Sequence, residues 1–149
     1  MHPYPHLYRA TAAGTPSGSV AIASPALPDI ETAPPPEFDG PGGFWSPETL
    51  LCAAVADCFI LTFRAVSRAA RMDWLKLECR VEGTLERLEG ASQFTRYATY
   101  ATLTLPADGD AAKARSLLER AEHGCLISNS LRGARTLAAA VILAPAVAV

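Results

Sequence analysis

The side chains best able to do chemistry in this sequence are four cysteines, Cys52, Cys58, Cys79 and Cys125. A thiolate can be a nucleophile, a metal ligand or a redox group, and its neighbours decide which. Zinc binding does not fit: there is no Cys-x-x-Cys pair, and His123 and Cys125 stand apart from other ligands. Cys52 and Cys58 cannot pair with each other on one helix. Six helical residues rise about 9 Å, and a disulfide needs α-carbons within roughly 7 Å. The opening Met-His-Pro-Tyr-Pro-His has neither the basic nor the apolar segment of a secretory signal, so structural disulfides are not expected. The choice is between inert core thiols and reactive ones.

Cys58 lies in the most apolar part of the chain, between Asp57 and Phe59. An acid there is expected in a dry place, and the ring would shield a neighbouring atom from water. The same setting also suits a small core residue, as most buried cysteines are. Cys125 follows Gly124 at the end of a helical pattern and precedes a second short one. A thiol at such a junction can move, and a helix start lowers thiol pKa. Cys52 reads as a packing residue. Cys79 falls on the apolar side of an alternating segment and reads as a core thiol.

These residues need elements to position them. A strand is expected over residues 19–24, paired with 7–12 through the turn Gly14-Thr-Pro-Ser-Gly18. Residues 33–43 hold too much Pro and Gly for helix and read as a stiff loop beside Phe38, Phe44 and Trp45. Ser46-Pro47-Glu48 has the chemistry of a helix start, with Ser46 as N-cap. That helix should run to about Arg71, buried on nearly every side in its first half and shared with a partner subunit. Arg64, Arg68 and Arg71 form a basic stripe near its end, which favours the helix dipole. Residues 75–86 alternate as a half-buried strand, a turn at 89–92 follows, and 94–105 completes a hairpin. Asp110 can cap a helix over 111–123. A short helix fits 128–132 and a last strand fits 136–143. This order is that of an α+β protein.

Length and charge bound the rest. The 149 residues make one domain, 1–149, and the net charge of −2 without a Lys/Arg run gives no sign of nucleic-acid binding. The apolar run over 50–63 is too short to span a bilayer. We read a soluble, cytoplasmic protein with no membrane partner.

The segment Ser46-Pro-Glu-Thr-Leu-Leu-Cys-Ala-Ala-Val-Ala-Asp-Cys58-Phe resembles the active-site helix of the OsmC/Ohr hydroperoxide reductase family. That motif reads Asn-Pro-Glu-x-Leu, then small apolar residues, then Ala-Cys-Phe, with ten residues from Glu to Cys, as from Glu48 to Cys58. The family's second motif, Cys-Pro-x-Ser, is similar to Cys125-Leu-Ile-Ser128, with Leu126 in place of proline. The element order matches over about residues 7–143.

The resemblance implies an intertwined homodimer, with antiparallel sheets packed on a long buried central helix and sites at the subunit interface. It implies that Cys58 is the peroxidatic thiol and Cys125 the resolving one, so that an organic hydroperoxide is reduced through a Cys58 sulfenic acid and a Cys58–Cys125 disulfide. An external dithiol, such as a lipoylated protein, would reduce that disulfide; no cofactor or metal is implied. Glu48 joins the site by resemblance. Ten helical residues span about 15 Å, so it would act through the partner subunit; otherwise it only stabilises the helix start. Phe38, Phe44, Trp45 and Phe59 are the expected pocket for a greasy substrate.

The chain also departs from the family. Neither Gly14-Thr-Pro-Ser-Gly18 nor Pro36-Glu-Phe-Asp-Gly40 carries the arginine the family places near the thiol. Arg9, Arg132 and Arg135 are the candidates to replace it as thiolate stabilisers. Without one, the alternative is a hydrophobic-ligand-binding or redox-sensing module on the same fold.

Overall fold

The computed structural model describes residues 2–146, which form an N-terminal unit ending at Leu50 and a C-terminal unit beginning at Leu51. The N-terminal unit holds a three-stranded antiparallel sheet: β1 (Thr11–Ala13), β2 (Val20–Ala23) and β3 (Ile30–Thr32). Its register sets Thr11 opposite Ala23 and Val20 opposite Thr32. β1 and β2 are joined as the sequence suggests, but both are shorter. β3 was not foreseen, because three residues are too few to show an alternation. The proline-rich loop contains one 3₁₀ turn, Pro36–Phe38. It closes on Gly40, where a Cβ would sit only 1.7 Å from the Pro34 carbonyl oxygen, so only glycine fits.

Ser46 starts the long helix α1 (Pro47–Ala69). Ser46 Oγ accepts from the Thr49 amide at 3.2 Å, while the Ser46 amide donates to Thr49 Oγ1 at 2.9 Å. This reciprocal cap is a capping box, with Thr49 in the place Glu or Gln usually takes.

The C-terminal unit is built on a second three-stranded sheet, ordered β4 (Lys76–Leu88), β5 (Ala91–Leu105), β6 (Ala134–Leu143). The β4–β5 hairpin turns on Glu89 and Gly90, both with positive φ, which matches the twist of paired strands. Between β5 and β6 come α2 (Ala111–Gly124) and the single turn α3 (Leu126–Asn129). Asp110 caps α2 by accepting from the Lys113 amide at 2.9 Å. That crossover returns the chain in the same direction, so β6 runs parallel to β5, from Arg96 opposite Ala134 to Leu105 opposite Leu143. This sheet is therefore mixed, not antiparallel throughout.

One face of α1 and one face of α2 meet the sheet. Phe59, Phe63, Leu77, Leu103, Leu105, Leu117, Leu118 and Ala121 form the core, with Phe63 set edge-on to Trp74 at 5.4 Å between ring centroids. On α1 the buried residues are Val55, Cys58, Phe59, Phe63 and Ser67, at helical spacing. Ala54, Asp57, Leu61, Arg64, Ala65 and Arg68 are exposed. The expectation of burial on every side is thus overturned for a single chain. α1 is also long and apolar enough to cross a membrane by length and composition, which the run over 50–63 alone did not suggest. Its apolarity instead supplies the core on one side and the exposed stripe on the other.

Gly83 on β4 leaves a bare spot in the sheet. A Cβ there would meet Cys52 Sγ at 2.9 Å and Phe94 at 2.8 Å. Cys52 is accordingly a packing residue of α1. The other face of β4 is charged: Lys76 pairs with Glu78 at 2.9 Å, Arg80 pairs with Glu82, and Arg80 lies 4.1 Å from the centre of the Tyr100 ring.

Phe63 has no solvent exposure and contacts both helix and sheet partners. Phe63→Ala should lower unfolding free energy by about 3–5 kcal/mol, measured by urea denaturation. A loss under about 1 kcal/mol would show that the core does not centre on this ring.

Candidate active site

Cys58 stands on the buried stripe of α1. Cys125 stands where α2 stops and α3 starts, with extended backbone angles, serving as C-cap of one and N-cap of the other. Its amide donates to the Glu122 carbonyl at 3.3 Å, and its carbonyl accepts from the Asn129 amide at 2.9 Å. Gly124 lets this junction approach α1: a Cβ on it would lie 3.3 Å from Thr62 Cγ2. Thr62 is one turn beyond Cys58, with its hydroxyl 3.9 Å from the Cys58 sulfur. Cys58 is near enough to raise the pKa of the Cys125 thiol. Both are shielded from water, at 8% and 1% exposure.

Ser128 Oγ donates to Cys125 Sγ at 3.2 Å. Burial pushes the Cys125 thiol up from its ordinary pKa; the side-chain and backbone hydrogen bonds of Ser128 pull it down, and the hydrogen bond with Cys58 and its charge push it up again. A helix start after Cys125 favours the thiolate. α3 is a single turn, and burial outweighs it. Cys79 is pushed up to about 11, first by burial and then by the charge of Cys125. It packs against the core from β4, as its place in the alternation indicated.

The remaining candidates are distributed differently. Phe59 is a core residue, closed to solvent. Asp57 is exposed rather than in a dry place, because it falls on the uncovered face of α1. Arg132 is exposed. Arg135 is already engaged: its guanidinium binds the Glu122 carboxylate and Asn129. Arg9, Phe38, Phe44, Trp45 and Glu48 belong to the N-terminal unit, whereas the thiol pair belongs to the C-terminal one. The three rings there are each about half exposed, at 52%, 46% and 51%. Glu48 Oε2 is buried and has no hydrogen-bond partner among the described residues. Sequence reasoning gave no role to Thr62 or to the Ser128 hydroxyl. A hydroxyl residue four after one cysteine and another three after the second were the available signals.

An α+β fold carrying one buried thiol on a long helix and a second at the junction of two others defines the class. The family model for OsmC-like protein matches residues 40–139, and the chain belongs to that family. It is 33% identical over 127 residues to an organic hydroperoxide resistance protein of Xanthomonas axonopodis pv. citri, covering 83% of this chain and 85% of the relative. It is 29% identical over 102 residues to the Bacillus subtilis protein YmaD, covering 66% and 68%. Among solved structures, an organic hydroperoxide resistance protein OsmC from Legionella pneumophila superposes with TM-score 0.74 at 25% identity, covering 94% of this chain and 99% of that one. An OsmC-like protein from Vibrio cholerae gives 0.83 at 14% identity, covering 91% and 99%, which shows the shared fold.

Ser128→Ala removes a hydrogen bond that favours the Cys125 thiolate. In a Cys58→Ser background, the pH midpoint for alkylation of Cys125 by iodoacetamide should rise. An unchanged midpoint would show that the hydroxyl does not reach the sulfur in solution. In the folded wild type, Cys79 should react with a midpoint near about 11 and remain nearly inert at neutral pH.

Proposed function

We propose that this protein is a cytoplasmic thiol peroxidase that reduces organic hydroperoxides. The observation that carries the reading is the placing of two buried thiols: Cys58 on α1, and Cys125 at the α2–α3 junction, whose Gly124 packs on Thr62 one turn beyond Cys58. Ser128 donates to the Cys125 sulfur. The Cys58 thiolate attacks the terminal oxygen of the hydroperoxide, the O–O bond breaks, and the alkoxide takes a proton to leave as an alcohol. Cys58 is then a sulfenic acid. The Cys125 thiolate attacks that sulfur, the S–O bond breaks, and hydroxide leaves as water after protonation. A Cys58–Cys125 disulfide results, which an external dithiol returns to two thiols. The name of the Xanthomonas relative supports the substrate class. The chemistry needs no metal or bound cofactor.

The unpartnered Glu48 carboxylate fits a role completed by a second copy of the chain. A homodimer also accounts for the exposed stripe of α1, where Leu61 is half open to solvent beside Ala54 and Ala65. Light scattering should give the mass of two chains, and Leu61→Glu should lower it to one. A wild-type chain that stays single at micromolar concentration would remove the dimer from the proposal.

One observation favours a second reading, a redox-sensing or hydrophobic-ligand-binding module. Burial opposes a thiolate at Cys125, and the guanidinium of Arg135 is already engaged by Glu122 and Asn129. Cumene hydroperoxide separates the two. The peroxidase reading expects rapid loss of two thiols and about two mass units, abolished by Cys58→Ser or Cys125→Ser. Oxidation no faster than that of Cys79 would leave the binding module.

A further inference from the structure

The segment carrying Cys125 is tied down from outside. Arg135 enters from β6, beside Tyr97 in the register of the parallel pair. Its Nε lies 2.9 Å from Glu122 Oε1, and its Nη2 donates to Glu122 Oε2 at 3.3 Å, a two-point grip on one carboxylate. The same Nη2 donates to the Glu122 carbonyl at 3.3 Å. That carbonyl is also the acceptor for the Cys125 amide. On the other side, Arg135 Nη1 donates to Asn129 Oδ1 at 2.7 Å, and Asn129 Nδ2 donates to the His123 carbonyl at 3.1 Å. One guanidinium thus joins the residue three before Cys125 to the residue four after it. The ion pair is largely shielded, with side-chain exposures of 23% for Arg135 and 15% for Glu122.

Without this clamp, the junction would rely on single backbone hydrogen bonds at a place where neither helix continues. Its freedom would matter, because a disulfide forms only when both sulfurs occupy a narrow geometry. Holding two groups in place raises their effective concentration. Lysine cannot replace the arginine fully, since a single ammonium lacks the planar fork that serves Glu122 and Asn129 together.

We propose that Arg135 is a positioning residue that holds the Cys125 turn against Cys58 and so sets the ease with which these two thiols form a disulfide. The proposal rests on the thiol pairing within the function above, not on the peroxide. It can be read by equilibrating the reduced protein with mixtures of reduced and oxidised glutathione. The two cysteines give two electrons and two protons to one glutathione disulfide, yielding the Cys58–Cys125 disulfide and two glutathione thiols. Peptide masses after alkylation report the fraction closed.

Arg135→Met should require at least about tenfold more oxidising glutathione than wild type, the scale expected for losing hydrogen bonds to a charged group. Arg135→Lys should fall between the two. Asn129→Ala, which removes one contact and leaves the ion pair, should shift the balance in the same direction by less and covers the case of an unfolded Arg135→Met. If Arg135→Lys and Asn129→Ala melt earlier but close at the wild-type glutathione ratio, the clamp is merely structural and the proposal is overturned. Wild type that never closes a Cys58–Cys125 disulfide overturns it as well. Wild type that closes with glutathione, with the variants shifted, yet ignores cumene hydroperoxide would sink the peroxidase reading and leave the clamp standing.

Discussion

Everything at this site depends on two sulfur atoms being kept near each other out of water. Burial alone works against a thiolate, and it does so at Cys125 despite two hydrogen bonds from Ser128. The two thiols sit in unlike surroundings: Cys125 receives the Ser128 hydroxyl at 3.2 Å, and Cys58 has the Thr62 hydroxyl at 3.9 Å. Unlike thiols are what a proposed sequence of attack and resolution needs.

That nearness is built from small residues as much as from the cysteines. Gly124 ends α2 without a side chain where Thr62 stands, and a Cβ there would press on Thr62 Cγ2 at 3.3 Å. Gly83 does the same beneath Cys52 at the other end of α1. Between these two bare points, Phe59 and Phe63 fill the space under the helix. The helix is thus seated at a fixed depth, and Cys58 faces the junction rather than the sheet beyond it.

Much of this was legible in the sequence. Ser46-Pro47-Glu48 announced the start of α1, the alternation over 75–86 announced β4, and Asp110 and Gly124 bounded α2. These signals are local, because caps, turns and strand faces are set by neighbours along the chain. Two cysteine motifs in order pointed to the site. What stayed hidden was non-local. The parallel direction of β6 follows from a crossover whose course no periodicity records. The exposure of Asp57 depends on which face of an almost uniformly apolar helix meets the core. The grip of Arg135 on Glu122 and Asn129 joins three elements that only the fold brings together. The sequence offers Arg135 as a free cation, but its charge is already engaged by Glu122.

The two edges of the C-terminal sheet are unequal. β4 lies along one edge and carries Lys76, Glu78, Arg80, Glu82 and Glu86, with a bulge after Thr84. Charges and a bulge discourage another strand from adding to an edge. β6 lies along the other and has only Arg135 among its ten residues, ending in Val141, Ile142 and Leu143. Its pleat is regular, and Ile142 and Leu143 are about half exposed. A further strand, whether from a sister chain or in unwanted self-association, is therefore discouraged at β4 and meets fewer such obstacles beside the strand that carries Arg135.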